Sequence, residues 1–137
     1  MKIQIINGPN LNLLGLREPS IYGSEGFDSY ISQLRDLYSI LEIDYYQSNV
    51  EGELINKLHE VGFSYDGIIL NAGAYTHTSV GLGDAVKGIH TPVIEVHMQR
   101  STLLNFLLFF ADFQHTSFHH HWQTEKALTL TQKSLNR

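Results

Sequence analysis

Short apolar runs alternate with longer amphipathic stretches along this chain of 137 residues. The short runs predict four strands, at residues 2–6, 43–47, 68–71 and 93–97. Strands that alternate with helical stretches are typical of βα units around a parallel sheet. We therefore predict an α/β fold, formed by residues 1–137 as a single domain with helices on both faces of the sheet.

The amphipathic stretches predict three helices. Asp28 is the expected N-cap of the first, whose apolar positions at helical spacing are Tyr30, Ile31, Leu34, Leu37, Tyr38 and Leu41. The second is predicted over residues 51–61. The third begins after Thr78 or Ser79 and runs to about Lys87.

Each predicted strand leads into a segment with polar side chains that can take part in chemistry. These are Asn10, Arg17 and Tyr22 after the first strand, residues 47–51 after the second, residues 71–78 after the third, and His97 at the end of the fourth. Because parallel strands present their carboxyl ends at one edge of a sheet, we expect these residues to share one cleft. The loop of residues 7–23, rich in Gly, Pro and Asn, would form one wall of it.

Composition narrows the possible functions. The chain has 9 basic and 14 acidic residues, a net charge of −5, which argues against a nucleic-acid surface. It has no Cys, so disulfides and thiolate chemistry are excluded. The longest apolar run, residues 103–113, is too short to span a bilayer, and the N-terminal sequence leaves no room for a signal peptide. We expect a cytoplasmic protein with neither a nucleic-acid nor a membrane partner.

Tyr22 is the candidate base. A free phenol has a pKa of about 10 and is a poor base at neutral pH. A nearby guanidinium stabilises the phenolate, so Arg17 can turn Tyr22 into a usable base. Spacing alone favours the plainer interpretation, in which Tyr22 packs at a loop corner and Arg17 is solvated.

Three other polar residues each have a catalytic and a structural interpretation. His97 is placed for acid–base work at a strand end, or is a hydrogen-bonded histidine of the core. The Asn71 amide either binds a ligand or satisfies the backbone of a turn. His77 lies among hydroxyls and expected helix N-terminal amides that suit hydroxyl or carboxylate recognition, although helix capping explains at least one residue there.

Two further kinds of site are weakly indicated. Residues 7–15 lack the glycine spacing of a dinucleotide fold and the Gly-Lys-Ser/Thr of a P-loop, so nucleotide binding is disfavoured. The histidines at 115 and 119–121 suggest a metal, but no carboxylate pattern accompanies them. A polar tail explains these histidines better, and we predict no metal.

Four separated motifs resemble the type II 3-dehydroquinate dehydratase family. They are Asn-Gly-Pro-Asn-Leu-Asn-Leu-Leu-Gly at residues 7–15 with Arg-Glu-Pro and Ile-Tyr-Gly at 17–19 and 21–23; Gln-Ser-Asn at 47–49 with Glu-Gly-Glu-Leu at 51–54; Asn-Ala-Gly-Ala-Tyr-Thr-His-Thr-Ser-Val at 71–80; and Pro-Val-Ile-Glu-Val-His at 92–97. Their order also agrees with the family. The resemblance covers residues 1–97.

The resemblance implies a flavodoxin-like three-layer αβα fold and a reaction without metal or cofactor. In that reaction 3-dehydroquinate of the shikimate pathway loses water by anti elimination to give 3-dehydroshikimate. Tyr22, prepared by Arg17, would take the C2 proton, and Asn10 would stabilise the enolate through an ordered water. His97 would protonate the departing C1 hydroxyl, with Asn71 holding that end of the substrate.

Recognition of the substrate is implied in the same way. His77 and Asp84 match positions that recognise ring hydroxyls, Asp84 across a subunit boundary. Backbone amides at Met98 and Gln99 would bind the carboxylate. Family members form trimers that assemble into a dodecamer, so the resemblance implies a homo-oligomer.

The chain departs from the family after His97. The expected Ser-Asn and the later Arg-Glu-x-Phe-Arg run are absent from residues 98–137, where residues 103–113 predict a helix and 127–131 an edge strand. A reading-frame shift in the gene would explain this divergent, atypical end. Two hypotheses therefore stand beside the active enzyme: a catalytically impaired relative that keeps the fold and binds the substrate weakly, and, less favoured, a flavodoxin-like nucleotide or phosphate binder.

Overall fold

The structure, a computed structural model, describes residues 1–16 and 26–97. The predictions for Arg17, Tyr22, Met98 and Gln99 lie outside these residues. So do the helix and edge strand predicted in the divergent end.

The described residues form a four-stranded sheet in which every pair of neighbours is parallel. Its strands are β1 (Lys2–Asn7), β2 (Glu42–Gln47), β3 (Gly67–Asn71) and β4 (Val93–Glu95), in the order β2-β1-β3-β4. The predicted parallel α/β fold is confirmed. The strand boundaries differ from the prediction by one residue, except that β4 ends two residues before His97.

Within residues 1–16 and 26–97, four helices lie between these strands: α1 (Phe27–Leu37), α2 (Glu51–Val61), α3 (Tyr75–Thr78) and α4 (Val80–Gly88). A single 3-10 turn, Leu11–Leu13, lies in the loop after β1. The bounds of α2 agree with the prediction, and α4 ends one residue beyond it. In this part of the chain no helix combines the length and apolar character needed to cross a membrane.

Two apolar cores cover the two faces of the sheet. On one face Ile3 and Ile5 of β1 pack with Ile43 and Ile69 under α1. On the other face Ile6 packs with residues of β3, α2 and α4, which include Ile68, Leu70, Leu54, Leu58, Leu82 and Ala85. Side chains that alternate along a strand point to opposite faces, so β1 contributes to both cores. The predicted helices on both faces are confirmed.

The prediction for the first helix was wrong at both ends. Gly26, not Asp28, is the N-cap, and Asp28 lies in the first turn, where its charge suits the positive end of the helix. The helix ends at Leu37, which is 60% exposed, and Leu41 reaches the core from beyond the helix. The Leu41 N–H donates to the carbonyl of Tyr38 at 2.8 Å, a turn that brings the chain into β2 and takes Leu41 off the helical stripe.

Gly8, directly after β1, lies against the backbone that follows β3. A Cβ built on Gly8 would be 2.6 Å from the Ala72 carbonyl oxygen, closer than atoms in contact can come. The Gly8 N–H also donates to the Asn71 carbonyl at 2.7 Å, so the two segments cannot separate without losing this hydrogen bond.

We predict that Gly8→Ala lowers the free energy of unfolding by about 1–3 kcal/mol, because the methyl group must push these segments apart. Urea denaturation followed by circular dichroism measures this change.

Gly52→Ala is the matched control: nothing lies within 4 Å of a Cβ there, and Gly52 lies in the first turn of α2. The control should be neutral or stabilising by up to about 1 kcal/mol. An equal loss in both variants would contradict the contact argument.

Candidate active site

Asn7, the last residue of β1, is the centre of the carboxyl edge of the sheet. It is 1% exposed and is paired in register with Gln47 of β2 and with Asn71 of β3. The three strands therefore end at the same level. The polar segments that follow them begin side by side, as the parallel arrangement predicts.

Asn10, the residue predicted to stabilise an enolate, lies in the loop that leaves this edge. Its φ of 67° makes it the one non-glycine residue with positive φ in the described part of the chain. Asn tolerates this left-handed conformation better than most residues. Its N–H donates to Asn49 Oδ1 at 2.9 Å, and its carbonyl accepts from the Leu13 N–H at 3.1 Å. The loops after β1 and β2 are thus in direct contact.

Asn71 is 3% exposed at the end of β3. Its Oδ1 accepts a hydrogen bond from the Gly73 N–H at 3.1 Å, and Gly73 has a positive φ of 60°. The side chain therefore supports a turn, one of its two interpretations. This turn keeps the amide group at the edge of the sheet, beside Gly8.

The segment after β3 forms two helical pieces. The first piece, α3, was not predicted from the sequence, and its third residue is the exposed His77. Of the two candidate caps, Ser79 is the N-cap of α4, and its Oγ accepts from the Leu82 N–H at 2.8 Å. Asp84 is exposed on α4.

His97 lies two residues beyond β4, next to His77. The two imidazole rings are nearly parallel, at 14°, with centroids 6.4 Å apart. His97 Nε2 is 3.5 Å from Glu95 Oε1, and the same carboxylate oxygen accepts from Thr76 Oγ1 at 2.5 Å. These contacts connect α3, β4 and His97.

The strand before His97 is not fully buried. Every residue of β4 is only partly buried, and the His97 side chain is 44% exposed. The reason is the position of β4, which is the outer strand of the sheet in the described part of the chain. An exposed imidazole is not a core histidine, so this structure disfavours the plainer interpretation.

Glu95 is a site residue that the sequence analysis missed. Its side chain is 18% exposed and contacts both Thr76 and His97. A signal was present: Glu95 is a charged residue within an apolar strand, two positions before His97. Residues two apart in an extended chain have side chains on the same side, so the spacing already indicated the pair.

The tyrosines of the described residues bear on the identity of the base. Burial raises the pKa of Tyr30, Tyr45 and Tyr65 above the ordinary value, because it disfavours the charged phenolate. A raised pKa keeps each phenol neutral at physiological pH. These three tyrosines are therefore unsuited to act as a phenolate base.

The structure brings four predicted site residues to one edge of the sheet: Asn10, Asn71, His77 and His97. Arg17, Tyr22, Met98 and Gln99 lie outside the described residues. Across residues 1–16 and 26–97, no group of three or more His, Asp or Glu side chains could hold a metal ion. The described edge therefore offers hydrogen-bonding amides and two imidazoles, one of them paired with a carboxylate.

The family model described as dehydroquinase class II matches residues 1–126. The chain belongs to this family. The match continues beyond residue 97, where the correspondence of the motifs ends. It agrees with the resemblance seen in the sequence and with a flavodoxin-like fold.

Dehydroquinase relatives of the chain include curated enzymes. A 3-dehydroquinate dehydratase of Clostridium perfringens (strain SM101 / Type A) is 52% identical over 101 residues, which are 72% of this chain and 69% of the relative. One from Fusobacterium nucleatum subsp. nucleatum is 50% identical over 103 residues, or 72% of this chain and 70% of the relative.

Solved dehydroquinase structures share the fold. The type II dehydroquinase of Butyrivibrio crossotus DSM 2876 is 44% identical with a TM-score of 0.66, and the match covers 71% of this chain and 70% of that one. The type II dehydroquinase of Propionibacterium acnes is 29% identical with a TM-score of 0.63, covering 70% and 68%.

We predict that Ser79→Ala lowers the free energy of unfolding by about 1 kcal/mol, because the Leu82 N–H loses its cap. Chemical denaturation measures the loss. Thr78→Ala is the matched control, since the Thr78 hydroxyl is exposed and makes only a 3.4 Å hydrogen bond to the Ala74 carbonyl. If Thr78→Ala costs as much as Ser79→Ala, the assignment of the cap is wrong.

Proposed function

We propose that this chain is a type II 3-dehydroquinate dehydratase, a hydro-lyase of the shikimate pathway. It removes water from 3-dehydroquinate by anti elimination and yields 3-dehydroshikimate. Family membership supports this activity, and relatives about half identical to the chain carry the same name. The observation in the structure that carries the proposal is the contact of His97 with Glu95 beside His77, because an elimination needs a proton donor for its leaving group.

The reaction proceeds through two proton transfers. The ketone next to C2 makes the C2 proton acidic, and Tyr22, prepared by Arg17, removes it to form an enolate. His97 then gives a proton to the C1 hydroxyl as the C1–O bond breaks and the C1–C2 double bond forms. The base gains a proton, the acid loses one, and water leaves, so the carbon skeleton needs no oxidant or reductant.

The remaining site residues bind and orient the ring. Asn10 stabilises the enolate through a water molecule, and Asn71 holds the end of the substrate at which the hydroxyl leaves. His77 and Asp84 recognise ring hydroxyls, and the backbone amides of Met98 and Gln99 bind the carboxylate. Positioned donors of this kind favour the transition state because they need no reorientation when charge develops.

Glu95 positions His97 for this proton transfer. Its carboxylate is 3.5 Å from His97 Nε2 and is itself restrained by Thr76 Oγ1 at 2.5 Å. A hydrogen bond to a charged group is stronger than one between neutral groups, so Thr76 limits the rotation of Glu95. The His97 ring, which is partly exposed, is thereby kept in one orientation.

The assembly and location are part of the same proposal. The protein forms trimers that associate into a dodecamer in the cytoplasm, and Asp84 reaches the site of a neighbouring subunit. Asp84 is exposed on α4, and this exposure supports a role across a subunit boundary.

We predict that the wild-type protein converts 3-dehydroquinate to product and that Tyr22→Phe lowers kcat by about 10²–10⁴-fold, the usual contribution of a general base. The absorbance of the conjugated enone in the product follows the reaction. Circular dichroism should show unchanged folding in Tyr22→Phe. A wild-type protein that binds the substrate without turning it over would instead support the impaired relative, and one that binds nucleotides alone would support the third hypothesis.

We also predict that Thr76→Val lowers kcat about tenfold, because Glu95 loses a restraint and His97 is held less well. The substitution keeps the shape of the side chain and removes only the hydroxyl. Thr78→Val makes the same change two residues away and should leave kcat within about twofold, since the Thr78 hydroxyl makes only a long hydrogen bond to a carbonyl. Equal kcat values for Thr76→Val and the wild type would remove Glu95 from the proposed mechanism.

A further inference from the structure

Asn49 joins the three loops that leave the carboxyl edge of the sheet. Its Oδ1 accepts hydrogen bonds from the Asn10 N–H at 2.9 Å and from Gln47 Nε2 at 3.2 Å. Its backbone carbonyl accepts from the Tyr75 hydroxyl at 3.1 Å. Asn10 follows β1, Gln47 ends β2 and Tyr75 follows β3. One residue therefore connects all three strand ends.

We propose that Asn49 is a positioning residue for Asn10 in the dehydratase reaction, and this inference rests on the proposed function. The Asn10 N–H lies in the peptide plane between Pro9 and Asn10. A hydrogen bond to it restrains the rotation of that plane and so the direction of the Asn10 side chain. The restraint matters because Asn10 has a positive φ, a conformation that is less favourable for a residue with a Cβ even though Asn tolerates it better than most.

The opposite side of the same loop is held by backbone contacts. A Cβ on Gly73 would meet the Pro9 carbonyl oxygen at 3.3 Å, and the Gly8 N–H is bonded to the Asn71 carbonyl. These contacts fix Gly8 and Pro9 against the segment after β3. They do not reach Asn10, whose carbonyl accepts from the Leu13 N–H and whose N–H donates to Asn49 Oδ1. In the described part of the chain, Asn49 is therefore the side chain that restrains the peptide plane before Asn10.

Asn49 is itself held in place by its neighbours. Gln47 Nε2, which donates to Asn49 Oδ1, also donates to the Gly8 carbonyl at 3.2 Å. Tyr75 packs against the core on the α2 and α4 face while its hydroxyl holds the Asn49 carbonyl. These contacts connect the exposed Asn49 to the sheet and to the core.

The loss of a positioning residue lowers kcat, whereas the loss of a purely structural residue lowers the melting temperature. Asn49 and Asn10 are both exposed, so water can replace a lost hydrogen bond and the melting temperature should change little. Turnover depends on the direction of the Asn10 side chain, so kcat should fall while KM stays nearly constant, because the support is needed when the enolate forms.

The test compares two substitutions of similar size in the full-length protein. Asn49→Leu removes the acceptor and should lower kcat about tenfold, whereas Asn49→Asp keeps an acceptor oxygen and should stay within about threefold of the wild type. Asn56→Leu, an exposed residue of α2, is the control and should leave kcat unchanged. Equal kcat values for Asn49→Leu and the wild type, or equal losses in the Leu and Asp variants, would overturn the proposal.

Hydrogen exchange of the Asn10 amide, measured by NMR, tests the same contact without relying on activity. Exchange should be several-fold faster in Asn49→Leu than in the wild type and nearly unchanged in Asn49→Asp. Unchanged exchange in the Leu variant overturns the inference. An inactive wild type in which exchange still depends on Asn49 would show that the proposed function fails while the contact exists.

If Asn49→Leu does not fold, Tyr75→Phe provides the second variant. Phenylalanine keeps the ring in the core and removes only the hydroxyl that holds the Asn49 carbonyl. Faster Asn10 exchange together with a lower kcat supports the proposal, and wild-type values of both overturn it.

Discussion

The register of β1 between β2 and β3 is the constraint on which the site depends. Asn7 is paired with Gln47 on one side and with Asn71 on the other, so three strands end at one level. Gly8 then lies so close to Ala72 that no side chain fits between them. A shift of one residue would turn Ile3, Ile5 and Ile6 away from the cores that they fill and move Asn10 away from Asn49. The alternation of side chains along β1 fills the two apolar cores. The register that this alternation requires also places the polar loops.

The other side of the site has a different physical basis. Glu95 ends β4, a half-buried strand that is outermost in the described part of the chain, and His97 lies two residues beyond it. Water still reaches the imidazole, whereas only 18% of the Glu95 side chain is exposed. Full burial would make a carboxylate costly to keep charged. A position near the surface avoids most of that cost. The hydrogen bond from the Thr76 hydroxyl restrains the Glu95 side chain, as packing restrains side chains in the cores. Glu95 thus combines a carboxylate near the surface with a restrained orientation.

The sequence predicted the elements of this fold better than their ends. Periodicity identified each strand and all the helices except the single turn α3, since alternating and helical apolar spacings are local properties. Asp28, Leu37 and His97 were misassigned because their surroundings depend on where the chain turns and which strand lies outside. Asn10, Asn71, His77 and His97 could be placed at one edge from topology alone. The spacing of Glu95 and His97 indicated that their side chains lie on the same side, but their contact depends on side-chain geometry that the sequence does not give.

The ionisable side chains of the described residues bear on the identity of the catalytic base. An anti elimination needs a base and an acid on opposite faces of the ring, and in the proposed mechanism the acid is His97, which contacts Glu95. Burial raises the pKa of Tyr30, Tyr45 and Tyr65, which makes these phenols weaker acids. Asn10 and Asn71 contribute amides that do not ionise. In the proposed mechanism the base is Tyr22, which follows Arg17 by five residues in the sequence. In the same mechanism, the hydrogen bond to Asn49 keeps Asn10 in position when the enolate forms.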